Sequence, residues 1–251
     1  MGLYFPEMKP LSQKEQKLVR ALASKKYRDE YGLFVAEGSK VIEPLMPFFE
    51  LRLLLTSALV RGIDEEKQRL VPGDLFAKLS GLTTPTDRIA LFRLPDETVR
   101  KFPRGRLTVA LDVVQNPGNL GTIIRLCDWL GIRTIILGSG TADPFAPKVV
   151  QATAGALGNV DLIRTGNLLE TLKESSFDEV IGTSLSGTPL SAFSETREGD
   201  KCVLFGNEGH GLSPALQEAC TRLVLIPPAP TAVSESLNVS ISAAILLSRL
   251  A

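Results

Sequence analysis

The sequence predicts an α/β fold: a mostly parallel sheet with helices on both faces, preceded by a small α/β unit. Three observations carry this. Short apolar, β-branched runs alternate with segments of helical spacing along most of the chain. In the second half the strand-like runs end in Gly-, Pro-, Asn- or Ser-rich turns before a helix begins. A polar stretch bearing Pro and Gly, PDETVRKFPRGR at 95–106, separates the two alternating regions.

The elements follow in order. LSQKEQKLVRALASKK (11–26) has helical spacing, with Leu11, Leu18, Leu22 and Ala23 available for one face. YGLFVAEG (31–38) is a strand ending at Gly38, and SKVIEPLM (39–46) a helix stopped before Pro47. FELRLLLTS (49–57) is a strand, GDLFAKLSGL (73–82) a helix and DRIALFRL (87–94) a strand. Beyond the linker, LTVALDVV (107–114) is a buried strand and NLGTIIRLCDWLG (119–131) a helix closed by Gly131. RTIILG (133–138) is a strand, APKVVQATAGAL (146–157) a helix starting near Pro147, NVDLIR (159–164) a strand and LLETLKES (168–175) a helix. FDEVIGTSL (177–185) and KCVLFG (201–206) are strands, SPALQEAC (213–220) a helix after Ser213, and TRLVLI (221–226) a strand. SLNVSISAAILLSRL (236–250) is the last helix. Repeated strand–helix alternation favours parallel pairing, because each helix returns the chain to start the next strand. The expected division is 1–103 and 104–251.

Composition narrows the classes. The 251 residues are 44% hydrophobic, ordinary for a globular core, and no apolar run is long enough for a membrane span. MGLYFPEMKPLSQKEQK lacks the basic-then-apolar order of a signal peptide. Three cysteines, Cys127, Cys202 and Cys220, make no disulfide framework, so a reducing cytoplasmic location is expected. With the single His210 they lack paired ligand spacing, so no metal is expected.

The net charge is zero, but it is unevenly placed. Residues 1–104 carry 18 Lys and Arg against 14 Asp and Glu; residues 105–251 carry 10 against 14. Within KEQKLVRALASKKYR, Lys14, Lys17, Arg20, Lys25, Lys26 and Arg28 face only Glu15. Such a segment attracts phosphates even on a neutral chain; the plainer reading is a solvated helix face.

Ligands of an open parallel sheet bind beyond the C-terminal ends of its strands. Four such ends carry unusual residues: QNPGNLG after LDVV, NEGHGLS after VLFG, PPAPTAVSESLN after LVLI, and Thr183 and Ser184 in IGTSLSG. Several standard readings fail. GSGTAD (138–143) follows the second strand of its region, the wrong place for a dinucleotide fingerprint. GNEGHGLS has no Lys for a phosphate loop, and no G-x-S-x-G elbow occurs.

Three loops match one pattern instead. N-P-x-N-x-G-x-x-x-R (116–125), G-N-E-G-x-G-L (206–212) and S-L-N-V-S (236–240) resemble, in order and spacing, the motifs of the SpoU-type RNA ribose methyltransferases of the SPOUT superfamily. QATAGAL (151–157) resembles a further segment of that family, and the likeness covers 106–250. KKYRDEYGLFVAEG (25–38) resembles more loosely the ribosomal-protein-like RNA-binding domain that many of these enzymes carry. IPPAPTAVSESLN (226–238) departs from the pattern in having no glycine between Ile-Pro and Ser-Leu-Asn.

The resemblance implies a C-terminal trefoil knot, a homodimer, S-adenosylmethionine as methyl donor, and methyl transfer to a ribose 2′-hydroxyl of RNA, ribosomal (23S) rather than transfer RNA. It implies cofactor contacts from Thr183, Gly206, Asn207, Gly211, Ile226 and Leu237, and catalytic work by Asn119, Arg125, Glu208, Ser236 and Asn238. Local readings stand beside these roles. Asn119 suits a helix N-cap, as do Ser236 and Asn238 for the last helix. Ile226 and Leu237 suit plain core. Arg125 would ordinarily be a surface residue or pair with Asp128 or Asp112. Because guanidinium stays protonated, Arg125 is expected to grip phosphate and orient the 2′-oxygen rather than act as a base. Glu208 is an acceptor for Arg125 or Asn119. Lys14, Lys17, Lys25, Lys26 and Arg28 are the expected RNA contacts of the first domain. The alternative function is a non-catalytic RNA-binding or ribosome-assembly protein on the same scaffold.

Overall fold

The computed structural model describes residues 9–96, 107–193 and 199–251, so most of the expected linker and the first eight residues lie outside the described residues. The described chain forms two compact units, 9–96 with 143–158 and 107–142 with 159–193 and 199–251.

In the first unit, α1 (Gln13–Ala21) and α2 (Lys25–Tyr31) precede β1 (Leu33–Glu37), α3 (Ser39–Leu45), β2 (Leu51–Thr56), β3 (Gln68–Leu70), α4 (Gly73–Leu79) and β4 (Arg88–Arg93). The sheet order is β1-β4-β2-β3. β4 runs antiparallel to β1 and β2, and only the short β3, absent from the sequence reading, adds a parallel pair. Alternation along the strands divides the core between two faces. Val35, Leu53, Leu55, Ile89 and Leu91 cluster with Val19 of α1 and with Phe76 and Leu79 of α4. Phe34 and Phe92 stack with ring centroids 5.6 Å apart, and Phe49 and Phe145 each lie 5.1 Å from Phe34. Phe145 belongs to the 143–158 segment, whose helix Pro147–Ala152 also contacts β1.

The helix expected over 11–26 is two helices. Ser12 and Glu15 form a reciprocal capping box that starts α1. The break at 22–24 leaves the carbonyls of Leu22 and Ala23 in need of donors, and one Arg28 nitrogen, Nη1, donates to both at 2.9 Å. Arg28 Nη2 and Nε donate to Asp143 at 2.7 and 3.2 Å. Arg28 is 3% exposed. The expectation that it faces RNA is therefore corrected: its guanidinium is spent inside the fold, where a buried charge needs a partner and full hydrogen bonding. Arg28→Lys is expected to cost about 1–3 kcal/mol, because an ammonium cannot reproduce the planar fork. Urea unfolding checks this.

In the second unit the strands are β5 (Leu107–Leu111), β6 (Thr134–Leu137), β7 (Asp161–Arg164), β8 (Glu179–Pro189), β9 (Lys201–Phe205) and β10 (Arg222–Leu225). Its helices are α5 (Pro117–Trp129), α7 (Leu168–Ser175), α8 (Pro214–Ala219) and α9 (Val239–Leu250); α6 is Pro147–Ala152 of the first unit. The sheet runs β10-β8-β9-β5-β6-β7 with every neighbouring pair parallel. Ala110, Ile136, Val180, Cys202 and Leu204 pack one face against Leu168 and Leu172 of α7 and Leu216 of α8. α5 and α9 pack together. The helix expected over 146–157 ends at Ala152, because Ala154 and Gly155 turn left-handed at φ 50° and 95°.

Register places the loops that matter. Leu111 lies level with Phe205, so the turns after β5 and β9 emerge side by side. In β8, Gly182 pairs with Leu223 and Thr188 with the next residue, Val224, so Thr183–Gly187 bulges from the sheet. Burial pushes the Cys127 and Cys220 thiols up to about 12 and about 11, and Cys202 well above its usual value, which leaves them unreactive. No helix of the described residues is long and apolar enough to cross a membrane, and no cluster of possible metal ligands occurs among them.

Candidate functional site

The site begins where β5 ends. Asn116 Oδ1 accepts from the backbone N–H groups of Gly118 and Asn119, at 2.8 and 3.4 Å, and so caps α5. Pro117 occupies the first helical position, where its missing N–H costs nothing. The cap is therefore Asn116, not Asn119. Asn119 sits within the first turn, buried, with its amide free for other partners.

Those partners come from the other two motifs. Asn119 Nδ2 donates to Glu208 Oε1 at 2.9 Å, and Asn119 Oδ1 accepts from Asn238 Nδ2 at 2.9 Å. Asn238 Oδ1 in turn accepts from the Ser240 backbone N–H at 2.9 Å and its hydroxyl at 2.6 Å, capping α9 as expected. A directed chain thus runs Ser240, Asn238, Asn119, Glu208, with every amide dipole aligned and a carboxylate at its end. A chain of neutral amide bonds ending on a carboxylate holds the loops in one arrangement. Of the two acceptor roles expected for Glu208, the structure selects Asn119. Ser240 was not singled out in the sequence; its N2 position after an Asn cap was the available signal.

The loop after β9 is held by its own geometry. Asn207 and Gly211 exchange backbone hydrogen bonds of 3.1 and 2.9 Å, which close a tight hairpin. A Cβ on Gly206 would stand 2.2 Å from the Gly211 backbone, so only glycine lets the two chains approach. The Asn207 side chain works within the fold: Oδ1 accepts from Gly209 and His210, and Nδ2 donates to the Val113 carbonyl at 3.0 Å. Val113 has φ 56°, strained for a β-branched residue, and its carbonyl joins the β5 turn to the β9 loop. The neighbouring Asp112 carboxylate accepts from the Ser213 backbone N–H, while burial pushes its pKa up. Neither Val113 nor Asp112 as a loop tie was read from the sequence, since the partner of each lies across the β5–β9 pair.

The remaining expected residues are placed less directly. Thr183, at the base of the β8 bulge, donates to the Leu204 carbonyl at 3.4 Å. Ile226, at the end of β10, is half-buried, whereas Ser236 and Leu237 are exposed on the loop before α9. Arg125 is exposed and makes no hydrogen bond or ion pair with any described residue. Asp128 instead accepts from Asn159 at 2.6 Å and pairs with Arg133 at 3.5 Å. The structure therefore joins Asn119, Glu208 and Asn238, and leaves Arg125 and Ser236 outside that chain. GSGTAD does not open a helix; residues 138–142 line an open hollow of about 290 Å³ with Arg164, Thr165 and Gly166. In the first unit, Lys14, Lys17, Lys25 and Lys26 are exposed, and Lys25 pairs with Asp29 at 2.6 Å.

The chain is similar to known proteins over most of its length. The SpoU rRNA Methylase family matches residues 106–248. A Bacillus subtilis 23S rRNA (guanosine(2553)-2′-O)-methyltransferase is 30% identical over 254 residues, covering 94% of this chain and 96% of that one. A solved TrmH-family protein from Porphyromonas gingivalis is 36% identical with a TM-score of 0.85, over 96% of this chain and 98% of its own. An rRNA methyltransferase from Sinorhizobium meliloti, solved with AdoMet bound, is 29% identical with a TM-score of 0.83, over 96% and 95% of the two chains.

Proposed function

The chain belongs to the SpoU rRNA methylase family, and on that premise we propose that it transfers a methyl group from S-adenosylmethionine to a ribose 2′-hydroxyl of ribosomal RNA. The observation that carries this is the hydrogen-bond chain from Asn238 through Asn119 to Glu208, which ties all three family motifs together beyond the C-terminal ends of the central strands β5 and β9.

The residues present suit the cofactor. Gly206 has no room for a Cβ, Gly211 has φ 67°, and the loop 227–238 is exposed throughout. Exposed backbone groups of that loop and the apolar side chains Ile226 and Leu237 are available for an adenosine and a methionine moiety, with Thr183 as a further proposed contact. The cofactor supplies an already activated methyl group. The protein's share is then position and charge, which reaches several kcal/mol when groups are fixed in advance. Asn119 and Asn238 fix Glu208, and one Glu208 oxygen, Oε2, stays without a partner among the described residues. Arg125 brings a fixed fork to an RNA phosphate and orients the 2′-oxygen. Ser236 bonds the ribose or the methionine part of the donor. Asn207 acts through the loop it folds.

The larger organisation belongs to the same proposal. Residues 1–103 bind RNA and 104–251 carry out transfer. A homodimer belongs to the proposal too, with the exposed Trp129 of α5 and Ile241 and Ile245 of α9 as apolar groups available to a second copy. So does a C-terminal trefoil knot, as the family resemblance implies. The cytoplasm is its place of work.

The test is transfer of label from S-adenosylmethionine to 23S rRNA, with the product digested to nucleosides. A labelled 2′-O-methylnucleoside is expected. Cofactor binding without transfer to free or ribosome-bound RNA would leave a non-catalytic assembly protein as the better reading.

A further inference from the structure

We propose that Tyr27 and Tyr31 form a stacking platform for unpaired bases of the substrate RNA. The proposal rests on the reading that the first domain binds that RNA. The two tyrosines stand one turn apart on α2, 38% and 50% exposed. Their rings are stacked, with centroids 6.3 Å apart and planes at 23°. Single exposed apolar side chains are ordinary, but a stacked exposed pair offers a continuous π-surface. Lys26 Nζ lies 5.7 Å from the Tyr27 centroid. Lys14, Lys17 and Arg20 of α1 and Lys25 of α2 are exposed in the same short stretch of chain.

Charge selects the occupant. An aromatic face with Lys26 beside it, on a helix that directly follows the exposed Lys14, Lys17 and Arg20 of α1, matches a polyanion whose units carry flat, stackable rings, and single-stranded nucleic acid has both. A-form duplex hides its base faces and can use only the cations. Rigidity supports the same assignment. Gly32 ends α2 in the left-handed region at φ 62°, and buried Arg28 ties the helix to Leu22, Ala23 and Asp143. A platform fixed before binding loses little freedom on binding.

The test compares the full chain with Tyr27→Ala/Tyr31→Ala, Tyr27→Phe/Tyr31→Phe and Lys14→Gln/Lys17→Gln. The probes are a short labelled oligoadenylate and an RNA duplex of equal length, each titrated across a salt series. Stacking is worth about 1–3 kcal/mol per base, so the alanine pair is expected to weaken oligoadenylate binding roughly 10- to 100-fold. Duplex binding and the salt slope should stay unchanged, and the phenylalanine pair should bind like wild type. The lysine pair should flatten the slope, by about 0.7 per lost phosphate contact on single strands. Wild-type oligoadenylate affinity in the alanine pair would overturn the proposal. So would an altered oligomeric state in that variant, since the tyrosines would then be a subunit contact. Methyl transfer by the wild type is scored separately. If transfer occurs while the alanine pair binds normally, the platform falls and the function stands; if transfer fails, the oligoadenylate titration still decides the platform.

Discussion

Arg125→Ala is expected to fold normally, to bind S-adenosylmethionine like the wild type, and to lose methyl transfer by about 100-fold or more. The structural half of this expectation rests on position. Arg125 is exposed, pairs with no described residue, and is flanked on α5 by Ile123, Ile124 and Cys127, which carry the buried face. Exposed positions of this kind change stability by about 0.5 kcal/mol or less. The chemical half rests on what guanidinium does. A guanidinium can hold a phosphate with two parallel bonds, and in the proposed role it would fix both place and potential at the reacting hydroxyl. Arg125→Lys keeps the charge and loses the fork, and should recover only part of the activity. Single-turnover transfer and titration calorimetry separate the two halves. Full activity in Arg125→Ala removes the residue from the mechanism, and loss of cofactor affinity moves it to the cofactor site.

The same residue shows how far local pattern reaches. An arginine amid IIRLCDWLG stands out in the sequence, and the parallel sheet of the second unit follows from strand–helix alternation, because both are short-range properties. Features decided by distant partners were not legible. Arg28 belongs by composition to a basic surface run, but Asp143, 115 residues away, draws it inside. Asn116 and Asn119 each satisfy the local rule for a helix cap; only Glu208 and Asn238, 89 and 119 residues from Asn119, decide which one leaves the cap for the site. The broken helix at 22–24 follows the same logic, since the carbonyls it frees are satisfied by Arg28 and not by the next turn. Val113 carries no sequence signal for its left-handed φ; a β-branched residue is among the least suited to it, and the strain is held by Asn207 and the packing around Gly140.

Asn119→Asp is expected to abolish transfer and to add a pH dependence of stability that Asn119→Ala does not show. The substitution changes one atom. The bond from Asn238 survives, because an oxygen at position 119 still accepts it. The bond to Glu208 does not: where Asn119 Nδ2 stood 2.9 Å from Oε1, an acceptor now faces an acceptor and a second negative charge faces the first. Two carboxyl groups this close cannot both ionise without cost, so the pair keeps a shared proton to higher pH than either would alone. The sign follows by linkage. The folded variant binds more protons than the unfolded chain above the ordinary carboxylate range, so its stability is greatest in acid and falls as pH rises through the pair's raised pKa. At neutral pH the loss should be about 1–3 kcal/mol, the penalty of a broken part-buried bond plus like-charge repulsion. Urea unfolding at pH 5 and pH 8 reads it as a difference between variant and wild type. Asn119→Ala removes the bond without adding charge, and should lose stability about equally at both pH values. If the aspartate and alanine variants show the same pH profile, Glu208 is not ionised against position 119, and the carboxylate at the end of the chain loses its part in holding the three motif loops together.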